Sequence, residues 1–185
     1  MTIMGAIFAG GEARRFGGDK HAAPIDGRAM IEHVAARLAP QCDMMVVVGR
    51  QWPGLETVPD APMPGLGPLG ALAGALVCAR DRGHDLVLSS GCDLPDLPFD
   101  LVERLAPAPA VARGQPLLGL WPATLAKPLA DWLAHGGDRA MQAWITHAGA
   151  RRVPLKTEPA NINTHAELKR YAATLKPTAG PRSSQ

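Results

Sequence analysis

The segment Gly10-Gly11-Glu12-Ala13-Arg14-Arg15-Phe16-Gly17-Gly18-Asp19-Lys20 combines two Gly-Gly pairs with two arginines and a lysine. Glycines let consecutive backbone N–H groups approach phosphate oxygens and point at them. Arg15 and Lys20 then supply positive charge to offset a triphosphate. The run is not a Walker A loop, because Asp19 separates Gly18 from Lys20 and His21 follows the lysine. Nor is it a dinucleotide fingerprint, since the G-x-G-x-x-G spacing is missing. A glycine-rich connection can be a tight turn and nothing more. Glycine pairs flanking Arg-Arg and ending in Lys favour an anion cradle over that reading.

Asp93, in Cys92-Asp93-Leu94-Pro95, is the second residue with chemical promise. A carboxylate just past a buried strand suits Mg²⁺, a hard cation that takes oxygen ligands and accompanies triphosphates. Taken alone, Asp93 equally fits a helix cap near Pro95 or an Asx-turn. Beside a cationic phosphate loop, the metal role is preferred. Other residues point to structure. His33, His84, His135, His147 and His165 show no metal-ligand spacing, and Ser89-Ser90-Gly91 lacks the G-x-S-x-G nucleophile elbow. Arg151-Arg152 reads as a solvated pair, and Trp132 and Trp144 fall at helical core positions.

These residues need a scaffold that brings them together. Ile3 to Phe8 is a continuous apolar run, as in a strand buried on both faces of a parallel sheet. Ile25-Asp26-Gly27-Arg28 carries a turn signal, and Ile31, Val34, Ala35 and Leu38 recur at helical spacing up to Pro40. Met44 to Val48 and Leu86 to Leu88 read as further strands, with a helix through Leu69, Leu72, Ala73, Leu76 and Val77 between them. Three rounds of strand then helix predict a single-domain, doubly wound α/β sheet, mostly parallel, with helices on both faces. Ligands of such sheets bind beyond the carboxyl ends of the strands. Three features fall there: the glycine loop, Asp60 with Gly65 to Gly70, and Asp93.

After Pro107 a strand over Leu117 to Trp121 and helices over Leu125 to Leu133 and Arg139 to His147 are expected. Thr164-His165-Ala166-Glu167 fits a capping box opening a last helix to about Leu175. The domain is thus expected over residues 1–175, with Lys176 to Gln185, rich in Pro, Gly and Ser, as a disordered tail.

Length and composition agree with this scheme. A chain of 185 residues, 46% hydrophobic and 19% charged, builds one core. A net charge of +2 argues against a nucleic-acid binder with a dense basic surface. Cys42, Cys78 and Cys92 are odd in number and far apart, which fits free thiols in a reducing compartment rather than disulfides or a CxxC metal site. The short apolar N-terminus has no basic n-region, and no run reaches membrane-spanning length, so a cytoplasmic location is expected.

With these residues in view, the pattern resembles a known family. Phe8-Ala9-Gly10-Gly11, Arg15, Gly17-Gly18 and Asp19-Lys20 are similar to the L-A-G-G-x-x-x-R-x-G-x-D-K signature of molybdenum cofactor guanylyltransferases. Gly67-Pro68-Leu69-Gly70 resembles the family's G-P-L-x-G/A segment, Cys92-Asp93-Leu94-Pro95 its C-D-x-P motif, and Asn161-Ile162-Asn163-Thr164 its N-[IV]-N-T-P element. The four occur in family order and span Phe8 to about Leu175. Phe8 replaces the usual Leu, the glycine loop is one residue shorter, His165 stands where Pro often follows, and Gly49-Arg50 replaces a frequent asparagine.

The resemblance implies transfer of GMP from GTP to the terminal phosphate of molybdopterin or its molybdenum form, with Mg²⁺ as cofactor. It implies that Phe8, Ala9, Gly10, Gly11, Lys20, Asp60, Gly67, Pro68 and Asp93 face nucleotide. Arg15, Lys20 and Asp93 would carry the catalysis, Asp93 would hold the metal, and Asn161 and Asn163 would lie on the pterin side. Implied partners are GTP, the pterin and transient cofactor-assembly or acceptor proteins, without nucleic acid or membrane. The rivals are a cytidylyl- or sugar-phosphate nucleotidyltransferase of the same fold and a non-catalytic nucleotide-binding carrier domain.

Overall fold

The computed structural model describes residues 1–10, 16 and 19–175. Its strands are β1 (Ile3–Phe8), β2 (Pro24–Ile25), β3 (Arg28–Ala29), β4 (Met44–Val48), β5 (Glu56–Val58), β6 (Leu86–Gly91), β7 (Ala110–Ala112), β8 (Gln115–Pro122) and β9 (Arg151–Val153). The α-helices are α1 (Met30–Leu38), α2 (Gly67–Asp81), α3 (Leu101–Leu105), α4 (Ala126–Ala134), α5 (Met141–His147) and α6 (His165–Thr174). The expected disordered tail, Lys176 to Gln185, lies outside the described residues.

Seven strands form one sheet in the order β5-β4-β1-β6-β8-β7-β9. β1 lies between β4 and β6, parallel to both, and every one of its residues is buried. Such a strand has no solvent face, which is why it reads as a continuous apolar run. The chain adds β4 and β5 on one side of β1 and then crosses to add β6 on the other. The order therefore reverses between β1 and β6, where Phe8 pairs with Gly91. β8 runs antiparallel to β6 and β7, while β9 pairs parallel with β7.

The pleat sends alternate residues of β1 to opposite faces. Met4, Ala6 and Phe8 pack with Leu69, Leu72, Leu76 of α2 and with Trp144 and Ile145 of α5. Ile3 and Ile7 pack on the other face with Ile31, Val34 and Leu38 of α1 and Leu101 and Leu105 of α3. The doubly wound arrangement expected from the sequence is thus present, with helices on both faces.

Several expected elements change at their margins. The expected strand Leu86 to Leu88 runs on to Gly91, and the helix read from Leu69 to Val77 covers Gly67–Asp81. Ser89 and Ser90 extend β6 because both are buried with partners: Ser89 Oγ donates to the Leu117 carbonyl at 2.8 Å and accepts from Trp121 Nε1 at 3.1 Å. Arg151-Arg152 is an edge strand, not only a solvated pair. Arg151 donates to the Leu105 and Pro107 carbonyls at 2.9 and 2.6 Å. Trp144 is fully buried, in keeping with a core role, with Trp132 packed against the same cluster. Ile25-Asp26-Gly27-Arg28 closes the β2-β3 hairpin as expected.

Helix α2 sits unusually close to the segment after β5. A Cβ on Gly74 would stand 2.1 Å from the Pro59 carbonyl oxygen, and the Ala61 N–H donates to the Gly70 carbonyl at 3.0 Å. The helix therefore holds Pro59-Asp60-Ala61 at its flank, while Pro68 in the first turn is pre-set for helix entry. Alanine gains ~1 kcal/mol of helix propensity over glycine, but overpacking against backbone costs ~2 kcal/mol. Gly74→Ala should lower Tm by about 3 °C in a thermal melt. An unchanged or raised Tm would show that α2 can move away from Pro59 without loss.

Candidate active site

Three distant chain segments meet at the carboxyl ends of β1 and β6. Lys20 Nζ lies 3.1 Å from Asp93 Oδ2, and it donates to Asn163 Oδ1 at 2.7 Å. The side chains are mostly covered, 11% exposed for Lys20 and 22% for Asp93. A cation this far from water is stabilised by its carboxylate partner. An ammonium carries three donors, and these two contacts do not exhaust them.

Each partner is positioned by its own element. Asp93 follows β6 directly, and its carbonyl accepts from the Ile162 N–H at 3.0 Å. No helix begins at Pro95; α3 starts at Leu101, so helix capping does not account for Asp93. Asn163 precedes α6, whose cap residue Thr164 accepts from the Glu167 N–H at 3.2 Å. The Glu167 carboxylate reaches back to the Asn163 N–H at 2.8 Å. The expected capping box is thus present with its return bond one residue earlier, and it fixes Asn163. Asn163 Nδ2 in turn donates to Asn161 Oδ1 at 2.6 Å, joining the two asparagines.

On the β4 side the chain backbones nearly touch. Gly49 has φ +86°, and a Cβ there would lie 2.7 Å from Gly10 Cα. Only glycine meets both demands. This approach brings the end of β1, Phe8-Ala9-Gly10, beside the end of β4, where the Ala9 N–H donates to the Val48 carbonyl at 2.9 Å. Asp60 lies on the same side: its Oδ1 would be 3.6 Å from a Cβ on Gly49, and its Cβ 3.4 Å from one on Gly70. Phe8, Ala9, Gly10, Gly49 and Asp60 therefore gather on the β1-β4 side, with Gly70 of α2 against Asp60, and Asn161 and Asn163 lie on the β6 side with Lys20 and Asp93. Gly11 and Arg15 lie outside the described residues.

Sequence reasoning missed a second ion pair. Arg50, just after β4, donates from Nη1 and Nη2 to Asp19 Oδ1 and Oδ2 at 2.7 and 2.6 Å. The guanidinium holds the Asp19 carboxyl well below the usual carboxylate range. Arg50 Nη1 also lies 2.7 Å from His21 Nδ1. Burial holds the His21 imidazole below its ordinary value despite the Asp19 bond. Cys92 is buried, and burial, helped by Asp93, pushes its thiol up to about 12 while Lys20 and Arg50 pull the other way. It is a neutral packing residue beside both ion pairs, not a nucleophile. The sequence signalled Arg50 only as a departure from the family pattern just after the second strand.

Among the described residues no cluster of three or more His, Cys, Asp or Glu converges as a metal cage. A single carboxylate completed by substrate phosphates is a donor set that a hard divalent cation accepts, and Asp93 is a carboxylate that would fit it. Two of the histidines make structural contacts: His33 Nε2 bonds the Ile25 carbonyl at 2.7 Å, and the His165 ring centroid is 4.1 Å from that of Phe16.

A doubly wound sheet with a lysine, an aspartate and paired asparagines at its strand-order reversal defines an enzyme of the nucleotidyltransferase class. Comparison with known proteins narrows the class. Residues 5–152 match the MobA-like NTP transferase domain. The chain is 40% identical to a molybdenum cofactor guanylyltransferase of Bradyrhizobium sp., covering 93% of this chain and 94% of the relative. It is 37% identical to one of Rhodobacter capsulatus, covering 97% of this chain and all of the relative. A crystal structure of molybdopterin-guanine dinucleotide biosynthesis protein A from Archaeoglobus fulgidus superposes with a TM-score of 0.73 at 22% identity, covering 92% of this chain and 97% of that one. The chain belongs to the MobA-like NTP transferase family.

Burial raises the Asp60 pKa, against a backbone hydrogen bond from Gly65 that lowers it. A carboxyl whose folded value is raised binds more protons folded than unfolded, so it costs stability as pH climbs through that raised value. Asp60→Asn keeps an acceptor for Gly65 and removes the charge. It should raise Tm at pH 7, with the gain vanishing near pH 3. Equal shifts at both pH values would disprove the electrostatic account.

Proposed function

We propose that this chain is a molybdenum cofactor guanylyltransferase. It moves GMP from GTP to the terminal phosphate of molybdopterin, or of its molybdenum form, in the cytoplasm. The observation that carries this reading is the Lys20–Asp93–Asn163 contact at the mouth of β1 and β6. Relatives named for this activity match over nearly their whole length.

In the reaction an oxygen of the pterin phosphate attacks the α-phosphorus of GTP. A new phosphoanhydride bond forms, the bond from the α-phosphorus to the bridging oxygen breaks, and pyrophosphate leaves with that electron pair. The nucleophile is already an anion, so no strong general base is required. The difficulty lies in aligning two anions and stabilising charge on the leaving group. Lys20 offers its ammonium to the phosphates, and Arg15 adds positive charge from the glycine loop. The backbone of Phe8, Ala9, Gly10 and Gly11, with Asp60, Gly67 and Pro68, binds and orients nucleotide. Asn161 and Asn163 face the pterin. Asp93 is the residue that would hold Mg²⁺, which supplies charge neutralisation at the phosphates when bound.

Pyrophosphate release with molybdopterin and Mg²⁺ should occur with GTP and stay near background with CTP, ATP and UTP. Release with CTP instead would make the chain a cytidylyltransferase, and silence with all four would overturn the reading. Lys20→Ala and Asp93→Ala should each reduce kcat/KM by about 100-fold or more, with circular dichroism unchanged. Near wild-type turnover in folded variants would remove the assigned roles.

A further inference from the structure

We propose that Arg50 is a positioning residue for the phosphate site: it neutralises Asp19 and fixes the turn that presents Lys20. The inference rests on the guanylyltransferase reading for its kinetic consequence, but its structural basis is independent of it. Both guanidinium nitrogens of Arg50 engage both oxygens of Asp19, at 2.7 and 2.6 Å. This planar fork restrains the carboxylate in orientation as well as distance. The same Asp19 Oδ1 accepts from the His21 N–H at 3.2 Å and from the Ala22 N–H at 3.4 Å. Asp19 thus closes the turn on either side of Lys20, and Arg50 anchors that turn to the end of β4. His21 adds to the anchor: its Nδ1 lies 2.7 Å from Arg50 Nη1 and 3.2 Å from Asp19 Oδ1, against both members of the pair.

Charge gives the anchor a second effect. Asp19 and Asp93 are two carboxylates set around one lysine, at a place that must receive a triphosphate. Without Arg50 these three groups carry a net negative charge, which weakens the pull that Lys20 exerts on an anion. With Arg50 the four balance. An Asp next to the phosphate-binding lysine is tolerated because the guanidinium masks it.

The test uses the full chain and four variants: Arg50→Ala, Arg50→Lys, Asp19→Asn and the double variant Arg50→Ala/Asp19→Asn. Amide hydrogen exchange at His21 and Ala22 is read in the ligand-free protein, and KM and kcat for GTP are read in turnover. Arg50→Ala should speed exchange at these amides and raise KM for GTP about tenfold, with kcat changed by about twofold at most. Arg50→Lys keeps charge but loses the fork, so KM should recover in part while exchange stays fast. The double variant removes the unmasked carboxylate and should recover part of the KM loss. Wild-type exchange and KM in Arg50→Ala would overturn the proposal, as would a double variant no better than Arg50→Ala. A wild-type protein silent with every nucleotide would count against the guanylyltransferase reading alone. The exchange data would then decide the anchoring role.

Discussion

The position of β1 constrains everything that follows. It is paired in parallel with β4 through Phe8–Val48 and with β6 through Phe8–Gly91, so three strands end at one level. A strand shared in this way cannot shift register without breaking two ladders and turning its buried side chains toward the wrong face. The three chain ends that leave this level carry Gly10, Gly49-Arg50 and Cys92-Asp93. The chemistry is therefore gathered by a backbone constraint before any side-chain contact forms. The contact of Gly10 with Gly49 is its tightest consequence, since a Cβ on Gly49 would stand 2.7 Å from Gly10 Cα.

Electrostatics then decides what the gathered groups can do. Lys20 and Asp93 neutralise each other in a mostly covered setting, and Arg50 and Asp19 do so nearer solvent. Pairs of this kind add little to stability where they are exposed. Their value here is geometric: each links the stem of the glycine loop to the end of a strand, one on either side of β1. Cys92 lies close enough to feel Lys20, Arg50 and Asp93 together, which shows how compact the charged cluster is.

The sequence made the central strands legible because strands buried on both faces leave an uninterrupted apolar run, as in Ile3 to Phe8. Lys20 and Asp93 were legible as residue types at strand ends. Their joining was not, nor was that of Lys20 with Asn163, 143 residues away. The short strands β5, β7 and β9 were missed because three residues are too few to show a period. They exist through the neighbours they pair with, and β9 begins with two arginines that read as surface. Arg50 was visible only as a departure from a family pattern. Its partner lies 31 residues earlier in the chain, so local spacing held no sign of it.

The two halves of the site differ in how firmly they are built. The half proposed for nucleotide rests on β1, β4 and the flank of α2, all within the continuous core. The half proposed for the pterin rests on residues 160–163, docked by Ala160 N–H to Asp96 and Ile162 N–H to the Asp93 carbonyl at 2.8 and 3.0 Å. Helix α6 behind it has no fully buried residue and packs through Leu168 and Tyr171 on a small cluster with Ile162 and Phe16. Few apolar contacts mean a low cost of local opening. That asymmetry suits a transferase whose donor must be held rigidly at its α-phosphorus while a second substrate enters beside it. Phe16 links the two halves, because it belongs to the glycine loop and stacks on His165 at the start of α6.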